Sequence, residues 1–301
     1  MLLTPSELDS LTRLIHRSPH TLLGMHPLGD GTGVVGRAMI PGAVAVQVVP
    51  VHDRSRSAFD LLRLGSTDVF EGIQKTASQV YAYDLRIQWA DGSVTQGRDP
   101  YSFWPTVSDS DLHLFGEGNH LRVYEAFGAR VLTLDGVVGV AFAVWAPSAG
   151  RMSVVGDFNG WDGRRHPMRQ LGSSGVWEIF IPGVREGALY QFEMIDAQGR
   201  LKVNTDPMGA AFELPPRRAA VVCDVRRFSW TDGAWMERRR NSDPLRSPMS
   251  IYELHLGSWR KKSASESLPC RADAGGRARL LSQLGIPGDR FLRPDPPLRH
   301  P

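Results

Sequence analysis

The amino-acid sequence predicts an all-β chain of two β-sandwiches in tandem behind one short helix, and three observations predict it. First, its 301 residues include 31 glycines and 21 prolines, a density of chain punctuation that favours many short elements over long helices. Second, stretches such as Tyr83-Asp-Leu85-Arg-Ile87-Gln-Trp89 alternate apolar with polar side chains, the pattern of a strand with one face in a core and one in water. Third, the chain repeats itself. Setting Pro41 on Pro147 brings Ala43 onto Ala149 and Val48-Val49 onto Val154-Val155. One more residue of offset brings Phe70 onto Trp177, Tyr83 onto Tyr190, Gly92 onto Gly199 and Asp99-Pro100 onto Asp206-Pro207.

In chain order, Thr4-Pro5-Ser6-Glu7 is a capping box with proline at the first helical position, and Leu8, Leu11, Leu14 and Ile15 follow at helical spacing. The histidines of Pro19 to Pro27 have no third ligand at a metal-binding spacing and belong to packing or surface. Gly31-Thr-Gly33-Val-Val-Gly36 matches a dinucleotide fingerprint only in letters. No strand precedes it and no helix follows, so it is a turn into a strand. Each copy of the repeat has an alternating strand, a turn (Ala90-Asp-Gly92, Ala197-Gln-Gly199) and a returning strand, which is an antiparallel hairpin. In the second copy, Val140 to Val144 and Arg151 to Gly156 flank a Trp145-Ala-Pro147 corner and read as a strand pair, closed by a turn carrying Asn159 and Trp161. Val221 to Val225 reads as that copy's last strand. Thr106 to Gly128 reads as a linker that docks on the second copy, and Ser229 to Pro248 as a polar, Arg-rich connection.

A formal net charge of +3 and scattered arginines, apart from Arg238-Arg239-Arg240, exclude a nucleic-acid footprint. Two distant cysteines, Cys223 and Cys270, make neither a disulfide framework nor a zinc site. No apolar run approaches spanning length and no signal-like start is present, so the expectation is a cytoplasmic monomer without metal, cofactor or membrane partner.

The segments PHTLLGMHP (19 to 27), FGEGNHLRVYEAFGA (115 to 129), FAVWAPSAGRMSVVGDFNGWDGRRHPMR (142 to 169), GVWEIFIPGV (175 to 184) and SIYELHLGSW (250 to 259) resemble the amino-terminal half of bacterial 1,4-α-glucan branching enzymes, members of the α-amylase superfamily. The resemblance runs from about residue 18 to residue 260. It implies two immunoglobulin-like sandwiches, the second of starch- or glycogen-binding type, followed by the first strand of a (β/α)₈ barrel at Ile251 to Leu256. The expected division is 1–105 for the first sandwich with its helix, 106–118 linker, 119–226 second sandwich, 227–248 linker, 249–259 barrel strand and 260–301 tail. From Arg260 onward Val, Tyr and Trp disappear and Pro, Arg, Gly, Ser and Ala dominate, which predicts a disordered tail holding at most a short helix around Ala278 to Leu284. The abrupt change suggests a shifted or truncated reading frame.

Branching breaks an α-1,4 link and re-forms it as α-1,6 with retention, which requires two carboxylates about 5 Å apart. In the resembled family these stand on later barrel strands, and such a barrel takes about 250 residues, so no catalytic residue is assigned. The chain is expected to be an accessory region without chemistry of its own. The alternatives are a stand-alone glucan-binding module, a fragment of a related debranching-type enzyme, or a sandwich used for protein contacts that is prone to associate through the exposed barrel strand. Candidate α-glucan contacts are Trp161 as an aromatic platform, Asn159 and Asp157 beside it, and Trp177. Glycogen-binding sandwiches similar to this one add a lysine and a second tryptophan. The aligned positions here are Gln191 and the Leu201 to Val203 stretch, where Lys202 is the one cation.

Overall fold

A computed structural model describes residues 2–29, 31–52, 56–77, 79–227, 229–243 and 245–246, together with the backbone of two short strands at 261–263 and 266–267. Helix α1 (Pro5–Thr12) forms where its capping box lies. The Glu7 amide donates to Thr4 Oγ1 at 3.2 Å, and the Thr4 amide donates to Glu7 Oε2 at 2.8 Å. Leu3 precedes the cap and Leu8 follows it by one turn. Both join the same apolar cluster as Leu11, so the helix is stapled at its start and buried along one stripe.

The first sandwich is one antiparallel sheet of β1 (Gly24–Pro27), β2 (Val34–Met39), β3 (Ala43–Pro50), β4 (Phe59–Arg63), β5 (Val69–Gln74), β6 (Tyr83–Trp89) and β7 (Val94–Arg98), in the order β1-β2-β5-β4-β3-β6-β7. It curls until Val34, Ala38 and Phe70 from one half share a core with Val48, Tyr83 and Leu85 from the other. The glycine-rich 31–36 segment does lead into a strand, β2, and not a helix, but the expectation that no strand precedes it is corrected, since β1 does and pairs with β2 as a hairpin.

Beyond β7 the chain forms α2 (Asp109–Gly116), a helix within the segment expected as a docked linker. Ser108 and Asp111 make a second capping box. This connection lies on the second sandwich: Val107, Ala126 and Phe127 pack against Ala143 and Val176, and Phe103 packs against Ala141 and Phe180.

The second sandwich contains β8 (Gly128–Leu134), β9 (Val137–Trp145), β10 (Ala149–Gly156), β11 (Arg169–Gln170), β12 (Val176–Pro182), β13 (Leu189–Asp196), β14 (Leu201–Asn204), β15 (Ala211–Phe212) and β16 (Ala220–Val221). One sheet runs β11-β12-β9-β8. The other runs β10-β13-β16-β15, with β14 also on β13. The expected strand pair on either side of Trp145-Ala-Pro147 is therefore corrected. β9 pairs with β8 and β12, whereas β10 pairs with β13 in the opposite sheet. The proline corner carries the chain across the core, held by the Ala146 amide on Gly175 O at 2.8 Å and the Ala149 amide on Ala146 O at 3.1 Å. The closing strand is also shorter than Val221 to Val225, since the chain turns at Val225–Arg227.

The repeat is physical. β3 and β10 pair with β6 and β13 in matching register, each with an irregularity at the same place, after Ala43 and after Ala149. In each copy a buried tyrosine donates to a buried aspartate: Tyr83 Oη to Asp99 Oδ2 at 2.5 Å, and Tyr190 Oη to Asp206 Oδ2 at 2.6 Å. The other oxygen of each aspartate accepts an amide two residues on, from Tyr101 and from Met208. These pairs fasten the Asp-Pro step of each copy to its alternating strand, β6 or β13.

The two sandwiches share a core. Leu23, Met39 and Tyr101 of the first belong to one cluster with Met168, Ile181 and Val184 of the second. Tyr101 Oη donates to Pro167 O at 3.3 Å, Arg169 Nη1 to Phe103 O at 2.9 Å and the Gln170 amide to Arg17 O at 2.7 Å. Residues 1–227 accordingly form one compact unit and 228–301 another. The second unit holds α3 (Gly233–Arg240), a helix inside the segment read as a polar connection, and β17 (Lys261–Ser263) paired with β18 (Glu266–Ser267) in the segment read as coil. Ile251 to Leu256 and Ala278 to Leu284 lie outside the described residues.

Candidate functional site

The segment after β10 presents an aromatic ring on a braced turn. One helical turn at Asp157–Asn159 is followed by Gly160 at φ 66° and Trp161 at φ 60°. A left-handed tryptophan costs on the order of 1–2 kcal/mol, so something must hold it there. Asn159 does so while buried. Its Oδ1 accepts the Gly156 amide at 2.9 Å, and its Nδ2 donates to Val154 O at 2.9 Å and to His166 Nδ1 at 2.8 Å. Burial, with Arg165 adding to it, brings the His166 pKa down to about 4. The ring is therefore neutral, accepts at Nδ1 and carries its proton on Nε2. The Trp161 amide closes the turn on Gly156 O at 2.9 Å, and the side chain is 42% exposed. Backbone strain maintained by surrounding bonds is a feature of ligand-contacting turns.

Beside the turn lies the outer face of β10, β13 and β14. Tyr190 and Phe192 point into the core, so Gln191 and Glu193 point outward. The register puts Val203 opposite Glu193 and Leu201 opposite Ile195 on that same face. Leu201 and Val203 are both exposed. Over β10 the face is buried at Arg151 and Ser153, and the chain after Trp161 folds back to pair Pro167 with Ser153 along the strand's free edge. Gly163 crosses there over the Arg151–Glu193 ion pair, so close that a Cβ would collide with both side chains. What remains open is an apolar strip of Leu201 and Val203 toward the Ile195 end of the sheet, with Gln191 nearer the other end, where Gly156 pairs with Tyr190 and anchors the Trp161 turn.

The four residues singled out in the sequence have different fates. Trp161 and Asp157 are exposed, and Asp157 Oδ2 accepts the Leu189 amide at 3.3 Å. Asn159 is a brace whose amide is fully engaged. Trp177 is corrected: it is 0% exposed, packs in the core and donates its indole N–H to Ala146 O at 3.0 Å, so neither ring face is open to a ligand. The reason is that Trp177 stands on the core-facing side of β12 with Ile179 and Ile181. Lys202 is drawn to Asp196 at 3.0 Å. The exposure of Leu201 and Val203 was signalled only by their place on a short strand after a Gly turn. Among the described residues no three His, Cys, Asp or Glu side chains are grouped to hold a metal ion, and no described helix is long and apolar enough to cross a membrane.

Two linked sandwiches, the second bearing a braced tryptophan turn, define a carbohydrate-binding type of accessory region: residues 126–209 match the family Carbohydrate-binding module 48 (Isoamylase N-terminal domain). Residues 4–101 match the alpha-1,4-glucan branching enzyme GlgB, N-terminal domain. The chain belongs to the 1,4-alpha-glucan branching enzyme GlgB family, whose amino-terminal region it represents. It is 46% identical over 258 residues to the enzyme of Myxococcus xanthus, covering 85% of this chain and 34% of that one. Against the Rubrobacter xylanophilus enzyme it is 45% identical over 287 residues, covering 95% and 38%. The chain thus spans about a third of the length of the curated relatives it matches. A pullulanase from Anoxybacillus sp. LM18-11 aligns structurally over 77% of this chain and 29% of its own, at 13% identity and a TM-score of 0.30.

Proposed function

We propose that this region holds α-1,4-glucan for a branching reaction, through the outer face of the second sandwich with Trp161 as platform, and makes or breaks no glycosidic bond itself. The observation that carries the reading is the exposed Trp161 ring, kept in a left-handed conformation on a turn braced by the buried Asn159. The absence of chemistry is supported by the buried carboxylates among the described residues: Asp99 and Asp206 are each tied to a tyrosine in separate sandwiches, Glu178 is paired with Arg169, Glu71 with Arg37, and Asp196 with Arg200 and Lys202. None stands beside a second carboxylate as retaining transfer requires. The region acts as a monomer in the cytoplasm, where glucan polymers and their building blocks meet.

Binding is weak. One indole face covering roughly 80 Å² of sugar contributes about 2 kcal/mol, whereas a millimolar complex needs about 4 kcal/mol. The remainder falls to Leu201, Val203 and Gln191. Affinity electrophoresis in glycogen gels tests this: Trp161→Ala is expected to weaken retardation by about thirtyfold in Kd, and unchanged retardation refutes the platform. The purified chain is expected to leave the iodine stain of amylose unchanged, and a clear change would assign it chemistry.

A further inference from the structure

The segment that carries Trp161 has a second side. Phe158, Arg165 and His166 form one wall of a cleft of about 410 Å³ between the two sandwiches, and Ile87, Trp89 and Thr95 form the facing wall. That volume lies within the range of small-ligand sites. The facing wall comes from strand register: Leu85 stands opposite Gly97 and Ile87 opposite Thr95, so Thr95 and Gly97 share a face with Leu85, Ile87 and Trp89. Thr95 Oγ1 accepts the Trp89 indole N–H at 2.9 Å, and the Arg165 guanidinium lies 5.0 Å from the Trp89 ring centre.

Gly97 is the informative residue. Its backbone is not left-handed and a Cβ there would meet nothing within 4 Å, so neither φ nor crowding requires glycine. The lack of a side chain keeps the cleft open. Beside it, Arg98 Nε is buried with no hydrogen-bond partner, a donor suited to a hydroxyl acceptor. Partly exposed aromatic and aliphatic surface with a few hydrogen-bonding groups at its rim suits a neutral polyol with an apolar ring face. Anions and cations are less suited, because Arg165 is engaged with Trp89 and Pro41 O, and Asp99 is buried against Tyr83.

We infer that the cleft is a second subsite for the same α-1,4-glucan chain, entered from the Trp161 turn, so that one polymer strand is held by both sandwiches. This rests on the proposed glucan binding, and the two ideas separate in one experiment. The full chain, ¹⁵N-labelled, is titrated with maltoheptaose while the indole N–H signals of Trp89 and Trp161 are followed. Both are expected to shift. In Gly97→Leu the Trp89 shift is lost and maltoheptaose binds about tenfold more weakly, the loss of roughly 55 Å² of apolar contact, while Trp161 still responds. A thermal midpoint within about 2 °C of the parent shows that the variant is folded. If Trp161 shifts and Trp89 does not, or if Gly97→Leu changes nothing, the cleft is not a subsite and the platform stands. A shift of Trp89 alone, abolished by Gly97→Leu, keeps the cleft and removes the platform. No shift of either signal overturns both.

Discussion

Glu178→Ala is expected to destabilise the chain by about 3 to 5 kcal/mol, the range found when one member of a buried ion pair is removed. Glu178 is fully buried in β12. Its Oε2 accepts from Arg169 Nε at 2.9 Å and lies 2.8 Å from Nη2 across the ion pair, and its Oε1 accepts the Thr106 amide at 3.0 Å and hydroxyl at 2.7 Å. Arg130 Nη2 donates to the same hydroxyl at 2.7 Å, and Arg169 Nη1 reaches Phe103 O. One carboxylate therefore ties the connection between the sandwiches to the middle of a sheet. Alanine leaves the Arg169 charge buried without a counter-charge and two donors of Thr106 without an acceptor, each an unmet desolvation cost. The thermal midpoint is expected to fall on the order of 10 °C. Arg164, on the exposed side, pairs with Asp162 at 2.7 Å. Its alanine variant is expected to change stability by less than about 1 kcal/mol. Replacing Arg169 and Glu178 together by methionine and leucine should recover much of the loss, because the cost lies in the orphaned charge. A Glu178→Ala protein within about 1 kcal/mol of the parent would sink this account.

Glu178 also marks a limit of reading from sequence. Val176-Trp-Glu-Ile-Phe-Ile-Pro182 offers a charged residue that alternation assigns to water, and a tryptophan that chemistry assigns to a ligand. The tryptophan is buried because it faces the sandwich core with Ile179 and Ile181, and Glu178 because a connecting segment far away in sequence covers the outer face of that sheet, a cover that no local pattern reports. The corner at Pro147 failed for a related reason: two strands joined by a short turn look the same whether they pair or part into opposite sheets. Helix α2 was legible in principle through Ser108 and Asp111, but the mixed composition after it masked the periodicity. Local chemistry and self-similarity were legible. Thr4, Pro5 and Glu7 placed α1, and the repeat anticipated Tyr83 with Tyr190 and Asp99 with Asp206 before any contact between them was known. At the site, a tryptophan on a Gly-flanked turn was visible. The bracing by His166 and the cleft beneath were not, since both depend on how the segment folds back.

The repeated tyrosine–aspartate pairs give the fold a pH signature that can be isolated residue by residue. Burial raises the Asp99 pKa to about 6, and hydrogen bonds from Tyr83 Oη and the Tyr101 amide offset only part of that penalty. An ordinary aspartate titrates near 3.9, so between about pH 4 and 6 the folded chain holds a proton that the unfolded chain has released. By linkage, the stability from Asp99 is fully present below about pH 4 and is lost as pH rises through 6, a change of about 3 kcal/mol. His166 acts in the opposite sense. Its folded pKa is about 4 against about 6.5 unfolded, so its contribution is present above about pH 6.5 and is lost as pH falls through 4. Asp206 is raised by the same burial and His20 is lowered by its own, so the parent's profile sums opposing slopes. Differences between variant and parent remove the shared part. Across pH 4 to 6, Asp99→Asn is expected to gain about 3 kcal/mol relative to the parent, whatever its offset at the acid end. His166→Gln is expected to lose ground relative to the parent by a similar amount as pH rises from 4 to 6.5. Urea unfolding at half-unit pH steps measures both. Parallel profiles for Asp99→Asn and the parent would mean that Asp99 is ionised in the fold, with the Tyr83 hydroxyl and the Tyr101 amide sufficient to hold a buried carboxylate.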